Sequence, residues 1–437
     1  MLARVASYFD FDTHNTSFRQ EILAGLTTFL TMAYIIVVNP KILESAGIPF
    51  GPSMVATILT AVFGSALMGL YAKRPFAIAP YMGENAFIAF TVVVTLGYSW
   101  QAALAAVFVA GVLFVLLTAL RLRSWLVEAI PPGLRYSFSV GIGLFLTFIG
   151  LNAAGLVALG TEDAPVKIGN LTSPGALVAI FGFLLITILM IRKIPGAILI
   201  GIITTTGLAF AMGVAEPPAR MFGMPPDVSQ IVWQLDFSSL LNWSFFSVVL
   251  TVFVMAFVDT MGTLIGVSTR AGFLDENDNL PEIEKPMMAD ALATTFAAVV
   301  GTTTAGAYIE SATGVEAGGR TGFTAITVAV LFLAALFFAP FLTSVPPQAY
   351  GPALIIVGFL MLSPITRIDY GDFTELFPAF GVIILMSFTF NIGVGITVGF
   401  ILYPLFKLVA GRHREVKSGL WLLCGLSLLF YLFYPYN

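Results

Sequence analysis

The sequence predicts an all-α polytopic membrane protein, because of its composition, its apolar runs and the placement of its basic residues. Of the 437 residues, 58% are hydrophobic and 10% are charged, and the mean hydropathy is +0.96. A soluble domain has about 25% charged residues, so this chain has too few to cover a water-facing surface. Barrel strands would alternate apolar with polar residues, whereas runs such as Val107–Leu120 do not. Most of the chain is therefore expected to lie in lipid as helices.

Apolar runs bounded by proline, glycine or charge define fourteen elements. Elements one to seven are Ile22–Val38, Met54–Tyr71, Phe76–Val94, Gln101–Leu120, Tyr136–Leu151, Ala176–Ile191 and Ile194–Met212. Elements eight to fourteen are Phe245–Val267, Met287–Val300, Gly301–Gly322, Phe323–Phe341, Pro352–Leu362, Leu376–Phe390 and Ile392–Val409. A last apolar stretch, Leu420–Tyr434, spans the membrane, lies in its interface or packs on the outside, and the sequence does not decide between these.

Elements three and ten are interrupted and cannot be ordinary spanning helices. The former carries Pro80 and Gly83 near its middle, and the latter contains six glycines. Lipid offers no partner for free backbone N–H and C=O groups, so such backbone has to be buried in protein or line a cavity. We call them the first and the second broken element, and we expect half-helices in both.

The basic residues predict the orientation of the chain. If the N-terminus is cytoplasmic and every element crosses, only Lys41, Lys167 and Arg220 of the 20 basic residues lie outside, and the other 17 lie inside. The polar segment before element one has no apolar centre of a signal peptide, so element one itself should direct insertion. We expect a multi-pass protein of the plasma membrane, or of the inner membrane in a Gram-negative bacterium.

The two broken elements resemble each other. The first contains Tyr-Met-Gly-Glu-Asn-Ala at residues 81–86, and the second contains Tyr-Ile-Glu-Ser-Ala at residues 308–312. They stand seven elements apart, and an odd offset reverses the direction of crossing. This pattern predicts a seven-plus-seven inverted repeat, in which discontinuous helices meet near the midplane and hold the substrate.

The scarcity of other reactive residues excludes several functions. Cys424 is the only cysteine, and the two histidines, His14 and His413, lie in polar end segments. No metal site, Ser–Lys pair or other catalytic group is expected within the spans, so the chain is predicted not to be an enzyme. The net charge of −4 and the absence of a long basic cluster argue against nucleic-acid binding.

Four acidic residues lie in or beside the apolar or glycine-rich elements: Glu84, Asp259, Glu310 and Glu316. A charge there costs about 2.5–3.5 kcal/mol on insertion scales, so such residues face a cavity or a partner. Asp259 is interpreted as a binding or proton-carrying carboxylate, with hydrogen bonding to nearby backbone as the alternative. Glu84 and Glu310 stand at predicted half-helix starts, where helix capping alone could also explain them.

Further candidates surround these carboxylates. Asn85 and Ser311 mark the two half-helix starts, where we expect a ligand to be held. Thr260 and Thr263 either donate to that ligand or bond back to their own helix. Phe87 is a candidate for stacking on a flat ring.

Four separated motifs carry a family likeness. They are Thr-Thr-Phe-Leu-Thr-Met-Ala-Tyr-Ile-Ile-Val-Val-Asn-Pro at 27–40, Ala-Pro-Tyr-Met-Gly-Glu-Asn-Ala-Phe at 79–87, Asp-Thr-Met-Gly-Thr-Leu at 259–264, and the stretch 308–322. In this order the motifs resemble those of the AzgA-like purine permeases, a branch of the nucleobase and xanthine/uracil permease superfamily. The likeness runs from about Phe18 to Arg412.

The resemblance implies a secondary active transporter that imports adenine, guanine or hypoxanthine by proton symport with alternating access. It implies no cofactor beyond the coupling proton, and it makes Asn85, Asp259 and Glu310 binding-site residues, with Asp259, Glu310 and Glu84 as candidates for proton coupling. The implied divisions are a cytoplasmic segment 1–20, core-domain halves 21–125 and 241–345, gate-domain halves 126–240 and 346–411, and a C-terminal apolar segment 412–437.

Two departures from the family pattern leave the base and the coupling ion open. Glu84 stands where relatives have a small or apolar residue, and Ala256 stands where many have a second carboxylate. A uracil or xanthine carrier and an inorganic-anion carrier of the same architecture are the alternatives, with a passive channel as a more distant one. The partners expected are the base and the lipid bilayer, and a homodimer is one possibility for the oligomeric state.

Overall fold

The polytopic helical architecture predicted from the sequence is confirmed. A computed structural model describes residues 2–120, 129–160, 165–241, 243–275, 280–389 and 391–432. Within these ranges, nine helices are long and apolar enough to cross a membrane, and shorter apolar helices accompany them. The protein is therefore a multi-pass membrane protein.

The first seven elements begin and end within a few residues of their predicted bounds. A short helix, Leu2–Tyr8, precedes element one, which is split into Phe18–Met32 and Ile35–Glu44. Element two is Phe50–Leu70, and element three is a strand, Ile78–Pro80, followed by the helix Met82–Ala86 and a π-helical stretch, Phe87–Thr95. Elements four to seven are Trp100–Ala119, Pro132–Ala153, Pro174–Ile191 and Ala197–Ala211. Between elements five and six lies a hairpin that the sequence analysis did not predict, Val157–Leu159 paired with Val166–Ile168.

The second seven elements follow the same plan. Elements eight and nine are Trp243–Ala271 and Glu284–Val300, and element ten is a strand, Ala305–Ala307, followed by the helix Ser311–Glu316. Element eleven is Gly322–Ala335, continued by Ala339–Thr343, and elements twelve to fourteen are Pro347–Leu360, Phe373–Phe388 and Ile392–Val409. Phe390, the predicted end of element thirteen, and the predicted cytoplasmic Arg121 and Arg123 lie outside the described residues.

The C-terminal stretch forms the helix Ser418–Leu432, which packs on element fourteen. The Tyr431 hydroxyl donates to the Val394 carbonyl over 3.1 Å and reinforces this contact. The helix is therefore attached to the outside of the bundle.

Glycines allow related elements to pack closely. Elements five and twelve, which are equivalent in the two repeats, are in contact at two places along their length, and at each place a glycine of one element faces a glycine of the other. A Cβ atom on Gly143 would lie 2.6 Å from the Gly358 carbonyl oxygen, and one on Gly150 would lie 2.7 Å from that of Gly351. Small residues let helix backbones approach in this way inside membranes, where burial from water supplies no driving force.

The packing sorts the elements into two sets. Element two packs on elements nine and eleven, element four packs on eight and nine, and element one packs on ten and eleven. Element five packs on twelve and thirteen, element six on seven and twelve, and element thirteen on fourteen. The two broken elements belong to the first set and lie at its centre.

Candidate functional site

The two broken elements meet through their strands. Ile78–Pro80 pairs with Ala305–Ala307 in antiparallel register, with Ala79 opposite Gly306. On one side the Tyr81 N–H donates to the Thr304 carbonyl over 3.0 Å, and on the other the Tyr308 N–H donates to the Ala77 carbonyl over 2.9 Å. Both half-helices thus start beside one crossing point and run away from it in opposite directions, as the inverted repeat requires.

Hydroxyl side chains hold each strand from the neighbouring element. Ser65 of element two accepts from the Ile78 N–H over 2.9 Å and donates to the Ile78 carbonyl over 3.2 Å. Thr294 of element nine does the same for Ala305, at 3.1 and 2.8 Å. Elements two and nine are equivalent in the repeat, so the same device supports each strand where lipid could not satisfy its backbone.

The three predicted carboxylates gather at this crossing in different surroundings. Glu310 is half-buried and accepts a 2.7 Å hydrogen bond from the hydroxyl of Tyr34 in element one. Asp259 is also half-buried, on element eight. Glu84 is wholly buried within electrostatic reach of Asp259, and neither of its oxygens has a hydrogen-bond partner among the described residues.

An accessible surface borders the two half-buried carboxylates. Ile309, immediately before Glu310, is 51% exposed. Its side chain faces Gly266, two turns beyond Asp259 on element eight, where a Cβ atom would lie 3.3 Å from it. Gly262, between Asp259 and Gly266, is exposed as well. The two half-buried carboxylates therefore lie beside exposed residues of elements eight and ten.

Two tyrosines at equivalent positions of the broken elements stand among the carboxylates. The Tyr81 and Tyr308 rings are parallel to within 6°, with centroids 6.2 Å apart. The Tyr81 hydroxyl donates to Thr260 over 3.3 Å, and the Tyr308 hydroxyl donates to the Pro80 carbonyl of the other repeat. Each ring thus ties one broken element to another part of the site.

Asn85 belongs to a buried polar network. Its amide nitrogen donates to the Asn39 oxygen over 2.7 Å, and the Asn39 nitrogen donates to Thr57 and Thr302 over 2.7 and 2.9 Å. The Asn85 oxygen has no partner among the described residues. This oxygen is the part of Asn85 that remains free to accept a hydrogen bond.

Two of the remaining candidates, Thr263 and Ser311, already form hydrogen bonds within the protein. The Thr263 hydroxyl donates back to the Asp259 carbonyl over 2.6 Å, which is one of the two alternatives the sequence left open. Ser311 accepts from the Ala77 N–H over 2.9 Å and so joins the broken elements. Phe87 is 2% exposed at the first position of the π-helical stretch. The assignment of these residues to ligand binding stays a prediction.

Sequence reasoning gave no role to three residues that shape the site. Tyr34 and Asn39 stand in the first family-like motif, and a buried amide within an apolar helix was an available signal for Asn39. Asp290 was missed although it is an acidic residue inside element nine. It is wholly buried, and one of its oxygens accepts from the Ala307 N–H over 3.1 Å, at the end of the second strand.

The basic residues of the described chain lie elsewhere. Its ion pairs stand at the ends of the elements, as between Lys73 and Asp10 or between Lys407 and Glu415. No described lysine or arginine forms an ion pair within 4.0 Å with any of the three carboxylates, Asp259, Glu310 and Glu84. The site is therefore acidic, and it is suited to a ligand that presents hydrogen-bond donors.

Known proteins resemble this chain over nearly its whole length. The family Xan_ur_permease, described as a permease family, matches residues 19–402. The guanine/hypoxanthine permease PbuO of Bacillus subtilis is 44% identical, over 93% of this chain and 96% of its own. The adenine permease AdeQ of Escherichia coli is 41% identical, over 94% of this chain and 92% of its own.

The fold is also found among solved structures. The transmembrane domain of BicA, a cyanobacterial bicarbonate transporter, superposes with a TM-score of 0.66 at 15% identity, covering 88% of this chain and 98% of that domain. At this identity the likeness concerns the fold, and it confirms the inverted-repeat architecture. The nucleobase transporter PlAzg2 of Paenibacillus larvae is 34% identical, over 90% of this chain and 78% of its own. Since the family match and these relatives span most of the chain, the protein belongs to the xanthine/uracil permease family, in its AzgA-like branch, and is a membrane transporter.

Proposed function

We propose that this transporter imports purine nucleobases, namely adenine, guanine or hypoxanthine, by proton symport with alternating access. The observation that carries the proposal is the acidic site at the strand crossing, where Asp259 and Glu310 face an accessible surface without a basic partner. PbuO and AdeQ, whose names specify guanine/hypoxanthine and adenine, support a purine as the substrate.

The chemistry of a purine suits such a site. Guanine presents a ring N–H and an amino N–H side by side, and a carboxylate accepts two parallel hydrogen bonds from them. Adenine presents an amino group and a ring N–H, and hypoxanthine presents two ring N–H groups, each of which can donate to a carboxylate. A pocket built for these donors leaves buried acceptors unpaired when a base lacks them, so it discriminates strongly against such bases. In this role Asp259 and Glu310 grip the donors, and the Asn85 oxygen adds an acceptor.

Alternating access requires two bodies that move against each other. We take the first packing set, elements one to four and eight to eleven, as the core, and the second set, elements five to seven and twelve to fourteen, as the gate. Gly262, Gly266 and Ile309 lie on the cytoplasmic side of Asp259 in the predicted topology. Gly262 and Ile309 are exposed and Gly266 is half-buried, which supports assigning this conformation to the inward-facing state. We place the protein in the plasma membrane with its N-terminus in the cytoplasm.

Proton coupling needs a group that changes charge during the cycle. Asp259, Glu310 and Glu84 are our candidates among the acids at the crossing, where Asp290 already accepts from the Ala307 N–H. A proton on one of the three reduces the repulsion among them. A proton and a base can then enter together from the outside and leave together inside.

An inorganic-anion carrier of the same architecture is the main competing function. BicA is named as a bicarbonate transporter, and its fold is shared with this chain. A site for an inorganic anion should offer a basic residue, whereas carboxylates would repel the ion. The side chains at the crossing therefore favour a base over an anion.

Competition for uptake tests the proposal. Protein in liposomes with an inward proton gradient should accumulate radiolabelled hypoxanthine, and unlabelled adenine, guanine, xanthine, uracil and bicarbonate are added in turn. Purines are expected to compete, and uracil and bicarbonate are expected to have no effect. Transport of uracil or bicarbonate alone would contradict the purine assignment, and uptake that persists with a protonophore would contradict proton coupling.

A further inference from the structure

Glu84 stands apart from the other two carboxylates because it is wholly buried and no described cation lies beside it. Its side chain is 0% exposed, and both oxygens lack a hydrogen-bond partner among the residues described. An isolated carboxylate moved out of water into such a place carries a very large desolvation cost unless it is neutralised. In this conformation the group must therefore be neutralised by something other than water.

Its neighbours do not include a cation. Asp259 approaches from element eight, Tyr81 from its own element and Tyr308 from the second broken element. Element five contacts the preceding residue, Gly83, through the apolar side chain of Ile142. A proton shared with Asp259, whose carboxylate lies next to Glu84, would neutralise one of these two charges.

Glu310 differs from Glu84 both in its burial and in its hydrogen bonding. It is half-buried, and the Tyr34 hydroxyl donates to it over 2.7 Å, as expected for a carboxylate acceptor. It therefore remains suited to accept N–H groups from a ligand. The surroundings of the two glutamates thus separate the role of proton carrier from that of ligand.

We propose that Glu84 and Asp259 together bind the transported proton, while Glu310 serves as the fixed carboxylate ligand of the base. This rests on the proposed function and names the coupling site within it. When the proton is present, the Glu84 O–H donates to the Asp259 carboxylate, and the pair carries one negative charge. When the proton leaves to the inside, two anions face each other and repel. Asp259 then loses its position beside the base.

The coupling follows from this geometry. Because Asp259 is in place for the base only while the pair holds a proton, base and proton strengthen each other's binding by the same factor. Above the pH at which the pair titrates, the affinity for the base should fall about tenfold per pH unit, which is the slope for one proton taken up per base bound.

Glu84→Gln tests the assignment, because an amide keeps the shape and a donor toward Asp259 while it cannot release a proton. The variant should bind hypoxanthine with an affinity that does not change with pH and should exchange it across liposomes. It should lose at least nine-tenths of the accumulation driven by a proton gradient. Glu310→Gln should weaken binding at every pH, and Glu216→Gln, on an exposed outer segment, should behave like the parent.

Accumulation by Glu84→Gln that equals the parent's would overturn the inference. If the variant does not fold, the inference is tested by measuring proton uptake by the parent protein. When hypoxanthine is added to weakly buffered protein, each bound base should remove up to one proton from solution, and the number of protons removed should rise with pH. If no protons are removed at any pH, the inference is wrong. A parent that transports no purine overturns the proposed function as well, whereas a parent and a Glu84→Gln variant that accumulate equally overturn only the inference.

Discussion

Tyr34→Phe isolates one hydrogen bond of the candidate site. The Tyr34 hydroxyl donates to Glu310 over 2.7 Å, and the ring is 1% exposed. Phenylalanine occupies the same space, so the substitution removes the donor without opening a cavity. Glu310 then loses the contact that fixes its carboxylate at the start of the second half-helix.

The size of the effect follows from the type of bond. A hydrogen bond to a charged group contributes about 1.5–3 kcal/mol. Since 1.4 kcal/mol corresponds to a factor of ten, the affinity for a purine should weaken roughly 10- to 150-fold if the whole contribution reaches the bound state. Glu310 is half-buried and water can replace part of the bond, so we expect a value near the lower end.

The chain offers a matched control in Tyr403→Phe. The Tyr403 hydroxyl donates to Glu375 over 2.6 Å, and the residue is 4% exposed, in an ion cluster around Lys407 at the end of element fourteen. Equilibrium binding of radiolabelled hypoxanthine and the melting temperature are measured for both variants and the parent. Tyr403→Phe should lower the melting temperature and bind like the parent. Parent-like binding by Tyr34→Phe, or an equal loss of binding in both variants, would mean that the Tyr34 hydroxyl does not hold Glu310 in place for the base.

Three further outcomes test other parts of the structure. Gly306→Ala should abolish transport and lower the melting temperature, because its Cβ would collide with the Tyr81 hydroxyl; an active, equally stable variant would contradict the strand crossing. The pKa of Glu415 is lowered to about 2, first of all by hydrogen bonds from the Arg412 guanidinium. The Glu415 carboxylate therefore stabilises the fold above pH 4.5, and this stabilisation is lost as the pH falls toward 2. The melting temperature of the parent should therefore fall more between pH 5 and about pH 3 than that of Glu415→Gln, and equal falls would argue against the ion cluster. A cysteine placed at Lys73, in a chain without its native cysteine, should react only from the cytoplasm, and reaction from outside would mean that the count of elements is wrong.

Much of the fold could be predicted because lipid limits what a chain can do. Apolar runs had to become helices, and Pro80 and the glycines of element ten marked the two places where a helix could not continue. The helix bounds agree to within a few residues because prolines and capping side chains such as Ser99 and Ser173 stand at their starts. The hairpin at 157–168 was missed because its strands of three residues carry no pattern long enough to recognise.

The site was predicted only in part, for a physical reason. Carboxylates in apolar runs are costly and therefore conspicuous, which singled out Glu84, Asp259 and Glu310. Their partners were not visible, because Tyr34 lies 276 positions from Glu310 and hydroxyl groups are common in membrane helices. Which residues meet across elements depends on how each helix is rotated, and a span that is apolar on all sides shows no pattern from which that rotation can be inferred.

A structure of the protein with bound hypoxanthine would show whether the base is held at the strand crossing. We expect density for the base between Asp259 and Glu310, with its N–H groups within hydrogen-bond distance of these carboxylates and Glu84 next to Asp259. Density for the base at any other place, with both carboxylates free of it, would mean that the strand crossing is not the binding site.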